Sequence, residues 1–190
     1  MSNLNPESGA AERSRLVERG QRLEYFTILW NSLEALAALI SGFIAGSVAL
    51  VGFGLDSLIE VTSGAALLWR LRQDANILRR ERAEKLTLRI VGSCFLMLSA
   101  YIAYDSLDSL LRREVPARSL PGVAIAVASL IAMPLLSRAK RRVGVALGSA
   151  AMAADARQTD FCTYLSAILL GGLLLNALFG MWWADRSQVW

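Results

Sequence analysis

Residues 48–69 read VALVGFGLDSLIEVTSGAALLW, an apolar run of 22 residues whose only charges are Asp56 and Glu60. A helix needs roughly 20 such residues to cross the hydrocarbon of a bilayer, so the stretch predicts a membrane span. The two acids stand four residues apart and share one helix face. Burying a carboxylate at the middle of a span costs about 2.5–3.5 kcal/mol even on the lenient insertion scale. A cation, a proton or a partner on another helix must offset that cost. The plain alternative is a hydrogen-bonded pair packed inside a helix bundle.

Outward from this run, the rest of the chain has the same character. Hydrophobic residues make up 55% of its 190 residues and charged ones 19%, below the soluble average of about a quarter. The charges gather in short stretches between apolar segments. Four more spans are expected: Tyr25–Ala45, interrupted by Asn31 and Glu34; Leu86–Tyr104, with a polar continuation through Asp105 and Asp108; Leu120–Leu136, with Pro121 and Pro134 near its ends; and Phe161–Trp183, whose helix begins as early as Val145. The expected class is an all-α integral membrane protein, a polytopic bundle of five transmembrane helices. Gly46-Ser47 forms the turn between the first two. Ser41, Gly42, Gly46, Gly52, Gly54, Ser63 and Gly64 are small enough for helix backbones to approach closely.

The polar N-terminus divides the chain into a segment of residues 1–24, a membrane domain of residues 25–185 and a short tail of residues 186–190. Met1–Glu12 is expected to be disordered and Arg13–Glu24 to form a short charged helix at the membrane surface. No signal peptide is legible. Lysine and arginine fix the expected orientation. The N-terminal segment, the stretch from Arg70 to Arg89 and the run Arg138, Lys140, Arg141 and Arg142 hold fifteen of them, against four on the other side. The N-terminus is therefore expected in the cytoplasm, with the protein multi-pass in the cell (inner) membrane. The formal charge of +4 is explained by this flanking pattern, and no nucleic-acid partner is expected.

The chemistry-bearing residues concentrate in two places. Asp155, Gln158, Thr159, Cys162 and Ser166 recur at helical spacing and form one polar stripe on the fifth helix. Oxygen, amide and thiolate donors there would complete a tetrahedral site with Asp56 and Glu60, and a thiolate favours Zn²⁺ over Mg²⁺ or Ca²⁺. The competing reading makes the stripe a wet entrance beside Arg157 and Asp160, with Asp155 outside the hydrocarbon. Glu34 either pairs with Thr62 or Ser63, carries protons, lines an ion path or serves packing. Asp105 and Asp108 read as an outer helix end, Cys94 and Met97 as packing, and Trp182, Trp183 and Trp190 as an interfacial belt. The two cysteines form no disulfide framework, and the chain contains no histidine. No nucleotide loop or nucleophile–base pair supports an enzyme.

The stretches GSVALVGFGLDSLIEVTSGAALLWRLR (46–72), RAEKLTLRIVGS (82–93) and LGSAAMAADARQTDFCTYLSAILLGGLLL (147–175) resemble helix two, the entry to helix three and helix five of the cation diffusion facilitator family. The resemblance spans most of residues 22–185. It implies that Asp56 and Glu60 are metal ligands, that Gln158 stands where the family commonly has histidine, that Cys162 stands where it has a second aspartate, and that Asp155 matches the acid of its ADA segment. It further implies divalent-metal efflux, often of zinc, by proton exchange through alternating access, usually as a homodimer. The transported ion is substrate, and no resident cofactor is expected. The family's sixth helix and C-terminal cytoplasmic domain have no counterpart before WWADRSQVW (182–190), so a short or truncated member is expected. Transport by Asp56, Glu60, Asp155, Gln158 and Cys162 therefore stands against a non-transporting or degenerate membrane subunit, and against a channel-like pathway without proton coupling.

Overall fold

The computed structural model describes residues 6–45, 48–112 and 120–179, all but the short connections in helix. Five helices follow one another: α1 (Pro6–Ala45), α2 (Val48–Arg72), α3 (Ile77–Arg112), α4 (Leu120–Leu147) and α5 (Ala150–Phe179). α1 packs chiefly on α2, and α4 on α5; α1–α4, α2–α3 and α3–α5 contacts close the bundle. Among the described residues, α1, α2 and α4 each hold a stretch long and apolar enough to cross a membrane. α3 has 36 residues, which at about 1.5 Å each give a rod of about 54 Å, longer than the hydrocarbon it must cross.

Burial is inverted relative to a water-soluble protein. Large apolar side chains such as Phe43 (76% exposed) and Ile44 (83%) face outward, as do Leu96 and Ile168. Polar side chains face inward: Glu24, Thr27, Asn31 and Glu34 on α1, Asp56, Ser57, Glu60 and Ser63 on α2, and Ser129, Ser137 and Lys140 on α4 are all buried. With lipid outside, apolar surface gains nothing by turning in, and polar groups find their partners only within the bundle.

Three elements differ from the sequence expectation: the N-terminal stretch, the end of α4, and the start of α5, which lies at Ala150 rather than Val145. The charged N-terminal stretch is no separate surface helix. From Pro6 onward it continues into α1 without a break, and Glu24 lies at the centre of a contact rather than in solvent. α4 runs eleven residues past Leu136, through Pro134, so Arg138, Lys140, Arg141 and Arg142 are helical rather than in a loop. A proline removes one helical hydrogen bond, which a membrane bundle tolerates without ending the helix. The turn comes instead at Gly148, whose φ of 64° suits glycine. There Ser149 N–H donates to Gly144 O (2.9 Å) and Gly148 N–H to Val145 O (3.1 Å), a Schellman ending. Ser149 then starts α5 by accepting from Met152 N–H at 3.2 Å. The Trp182, Trp183 and Trp190 belt and the side chains of Asp105 and Asp108 lie outside the described residues.

Two glycines set the distance between α1 and α2. A Cβ on Gly42 would lie 2.9 Å from Val51 N, and one on Gly54 would lie 2.7 Å from Leu39 Cγ. The small-residue stripe thus does what its composition predicts.

Beyond the hydrocarbon-crossing stretches, Asp74 accepts from Arg13 Nε (2.7 Å) and from Arg70 Nη1 (3.0 Å). Arg70 Nε reaches Glu84 at 2.5 Å, and Glu84 also accepts from Ala151 N–H at 2.7 Å. One carboxylate therefore joins α2 and α3 to the start of α5.

Candidate metal centre

Asp56 and Glu60 project from one face of α2 toward α5, at 2% and 0% exposure. The α5 stripe answers them at the spacing read from sequence. Cys162 Sγ lies 2.9 Å from Asp56 Oδ2 and 3.1 Å from Glu60 Oε2, so that its one S–H is shared between the two acids. One turn away, Thr159 Oγ1 donates to Glu60 Oε1 at 2.6 Å. Asp155, Gln158, Thr159, Cys162 and Ser166 are all buried, while Arg157 faces out. The stripe is thus an inward face of the bundle.

The five residues expected to bind metal are not all brought together. Asp56, Glu60 and Cys162 meet. Gln158 lies one turn before Cys162 on the same face, and neither its amide oxygen nor its nitrogen meets a hydrogen-bond partner. Oδ1 of Asp56 is likewise without one. Asp155 is engaged elsewhere: Ser63 Oγ donates to its Oδ1 at 2.6 Å, and Lys140 Nζ holds its Oδ2 at 2.5 Å.

The donor set is arranged as a hydrogen-bonded thiol rather than as a spread ligand cage. Around a tetrahedral zinc with sulfur at about 2.3 Å and oxygen at about 2.0 Å, sulfur and oxygen ligands stand about 3.5 Å apart. The sulfur–oxygen contacts here are shorter, and among the described residues no three or more Cys, Asp and Glu side chains are set in a metal-holding arrangement. Admitting an ion needs the thiol proton to leave and the donors to part by about half an ångström, a small side-chain movement set against a tetrahedral edge of about 3.5 Å.

Glu34 does not pair with Thr62 or Ser63. Its carboxylate accepts from Ser57 Oγ at 3.3 Å and from the Ser129 hydroxyl. Thr62 bonds back to Leu58 O, and Ser63 serves Asp155. Glu34 thus sits beside the acid pair through Ser57, the neighbour of Asp56.

The sequence reading missed Glu24 and Lys140. Lys140, fully buried, lies 3.2 Å from Glu24 Oε2 as well as 2.5 Å from Asp155. The signal was present in periodicity: Ser129, Met133, Leu136 and Lys140 continue one face of α4, and Glu24 precedes Thr27, Asn31 and Glu34 on one face of α1.

The cation efflux transmembrane domain family matches residues 25–186. The chain belongs to that family. It is similar to Transmembrane protein 163 of Xenopus laevis, 27% identical over 168 residues that cover 88% of this chain and 57% of that protein. It is also similar to an uncharacterised transporter of Methanocaldococcus jannaschii, 25% identical over 165 residues, 84% of this chain and 58% of that protein. The chain thus spans less than three fifths of the length of either relative. The match bears out the family resemblance and the all-helical membrane fold, and the fold is one that serves cation transport.

Proposed function

We propose that the chain carries a divalent cation, zinc foremost, across the membrane in exchange for protons. The observation that carries this reading is the contact of one thiol, Cys162, with both carboxylates of α2. Sulfur suits a borderline ion better than a hard one, and Asp56 and Glu60 supply the charge that holds it. The unpartnered amide of Gln158 offers a fourth donor at the position that the family resemblance assigns to a ligand.

Proton exchange follows from the chemistry of such donors. Thiol and carboxyl groups bind metal only when deprotonated, so an arriving ion displaces protons and a departing ion is replaced by them. Exposure of the site to one side and then the other makes that competition directional, provided the two conformations differ in affinity for the ion. In the orientation that the basic residues favour, the N-terminus lies in the cytoplasm of a cell (inner) membrane protein, residues 25–185 form the membrane domain and the cargo leaves the cell. Two copies pair as a homodimer in this reading.

The test is zinc-dependent proton flux in proteoliposomes, comparing wild type with Asp56→Ala. Wild-type flux with none from the variant is expected. Equal flux in both would refute the assignment of the site, and zinc uptake without proton movement would replace exchange by a channel-like pathway.

A further inference from the structure

Lys140 is a charged side chain with no water contact, deep in a bundle whose neighbouring buried groups are acids. It projects from α4 to Glu24 on α1 (3.2 Å) and Asp155 on α5 (2.5 Å), and all three side chains are 0% exposed. Asp155 is two turns before Cys162 and one turn before Thr159, whose hydroxyl meets Glu60. The ammonium therefore stands at one end of the cargo site. Both oxygens of Asp155 are committed, one to Lys140 and one to Ser63. For Asp155 to turn and bind cargo, a buried ammonium would have to lose its closest partner, the costliest change such a pair undergoes.

We propose that Lys140 is a tethered counter-cation that withholds Asp155 from the transported ion and limits how tightly the site binds it. The inference rests on the metal-transport reading above and adds a positioning residue to it. A carrier must bind its ion strongly enough to load and weakly enough to release. A dication held by Asp56, Glu60, Cys162 and, freely available, Asp155 would face three carboxylates and a thiolate. Lys140 removes one carboxylate from that set and adds a fixed positive charge nearby. Both effects weaken binding, and neither depends on Lys140 changing its protonation.

The experiment uses the full chain in detergent, titrated with Zn²⁺ alone by calorimetry. Lys140→Met, an unbranched apolar side chain one atom shorter, is expected to bind zinc at least about tenfold tighter, as removal of a nearby unit charge in a medium of effective dielectric about 20 requires. Asp155→Asn is expected to weaken binding, because it leaves Lys140 with only Glu24. Adding Lys140→Met to Asp155→Asn is expected to restore wild-type affinity, and this charge-balanced pair keeps the test decisive if Lys140→Met alone does not fold. A purely structural lysine would give no tightening and no restoration, and either result overturns the proposal. A double variant as weak as Asp155→Asn would make Asp155 a ligand and overturn it too. A wild-type chain that binds no zinc would instead bring down the metal-transport reading itself, and the proposal with it.

Discussion

Cys162 is the residue at which stability and zinc binding can be separated. Its sulfur bonds to Asp56 at 2.9 Å and to Glu60 at 3.1 Å. Hydrogen bonds to charged groups contribute about 1.5–3 kcal/mol each, with a thiol at the lower end. Cys162→Ala removes the one S–H that the two carboxylates share and is expected to cost about 2 kcal/mol of stability without metal. Cys162→Ser keeps a donor at the same place and is expected to cost about 1 kcal/mol or less. In zinc binding the two variants converge, because each removes the sulfur ligand. Losing a residue that merely supports a ligand costs about 10–100-fold in affinity, so losing the ligand is expected to cost at least about 100-fold. At a zinc concentration of about 100 times the wild-type Kd, the wild type gains about 2.7 kcal/mol from the ion, and a variant 100-fold weaker gains only about 0.4 kcal/mol. Thermal unfolding in detergent, with and without zinc, reads both quantities. A Cys162→Ser protein that keeps the full zinc-induced stabilisation would remove the thiol from the ligand set.

Three further outcomes are expected. Gly54→Ala puts a methyl group 2.7 Å from Leu39 Cγ and should cost about 1–3 kcal/mol in thermal unfolding, whereas Gly92→Ala, with nothing within 4 Å, should be neutral or stabilising by up to about 1 kcal/mol; equal effects would refute close packing of α1 on α2. Glu84→Ala removes the 2.5 Å partner of Arg70, which keeps Asp74, and the acceptor of Ala151 N–H, and should lower stability by about 1–3 kcal/mol while leaving zinc affinity of the folded protein unchanged. Zinc affinity should fall as pH is lowered from about 8 to about 6, because protons compete for Asp56, Glu60 and Cys162; a rise over that interval, followed by calorimetry, would rule out these groups as ligands.

The fold was legible because a bilayer writes itself into sequence as apolar length, and the acid pair because it breaks such a run. The α5 stripe was legible by periodicity alone: Thr159 and Cys162 recur on one face and both meet Glu60. Partner choice was less so. Glu34 and residue 59 are equidistant from the link at Gly46 and Ser47, so hairpin arithmetic points to Ser57 rather than to Thr62 or Ser63. That register is enforced by the contacts of Gly42 and Gly54, which no local pattern reveals. Lys140 was hidden for a different reason. A lysine among arginines after an apolar run reads as a topological marker, and its neighbours Arg138, Arg141 and Arg142 do lie at exposed positions. Only the extension of α4 through Pro134 turns this one cation inward.

The buried charges give the exchange reading its physical force. Along the inward faces of α1, α2, α4 and α5, Glu24, Glu34, Asp56, Glu60 and Asp155 are each at most 5% exposed, and among the described residues Lys140 is the ammonium set between them. Arg70, also buried, is taken by Asp74 and Glu84. Serine and threonine hydroxyls supply hydrogen bonds to Glu34, Glu60 and Asp155 but no positive charge. Carboxylates so far from water cannot all remain ionised without cations, since isolated buried charges neutralise rather than persist. Lys140 answers one of them. The others need protons or a metal ion, and what one supplies displaces the other. In the exchange reading proposed above, a site neutralised by one or the other would exchange them on passing between the two faces of a membrane.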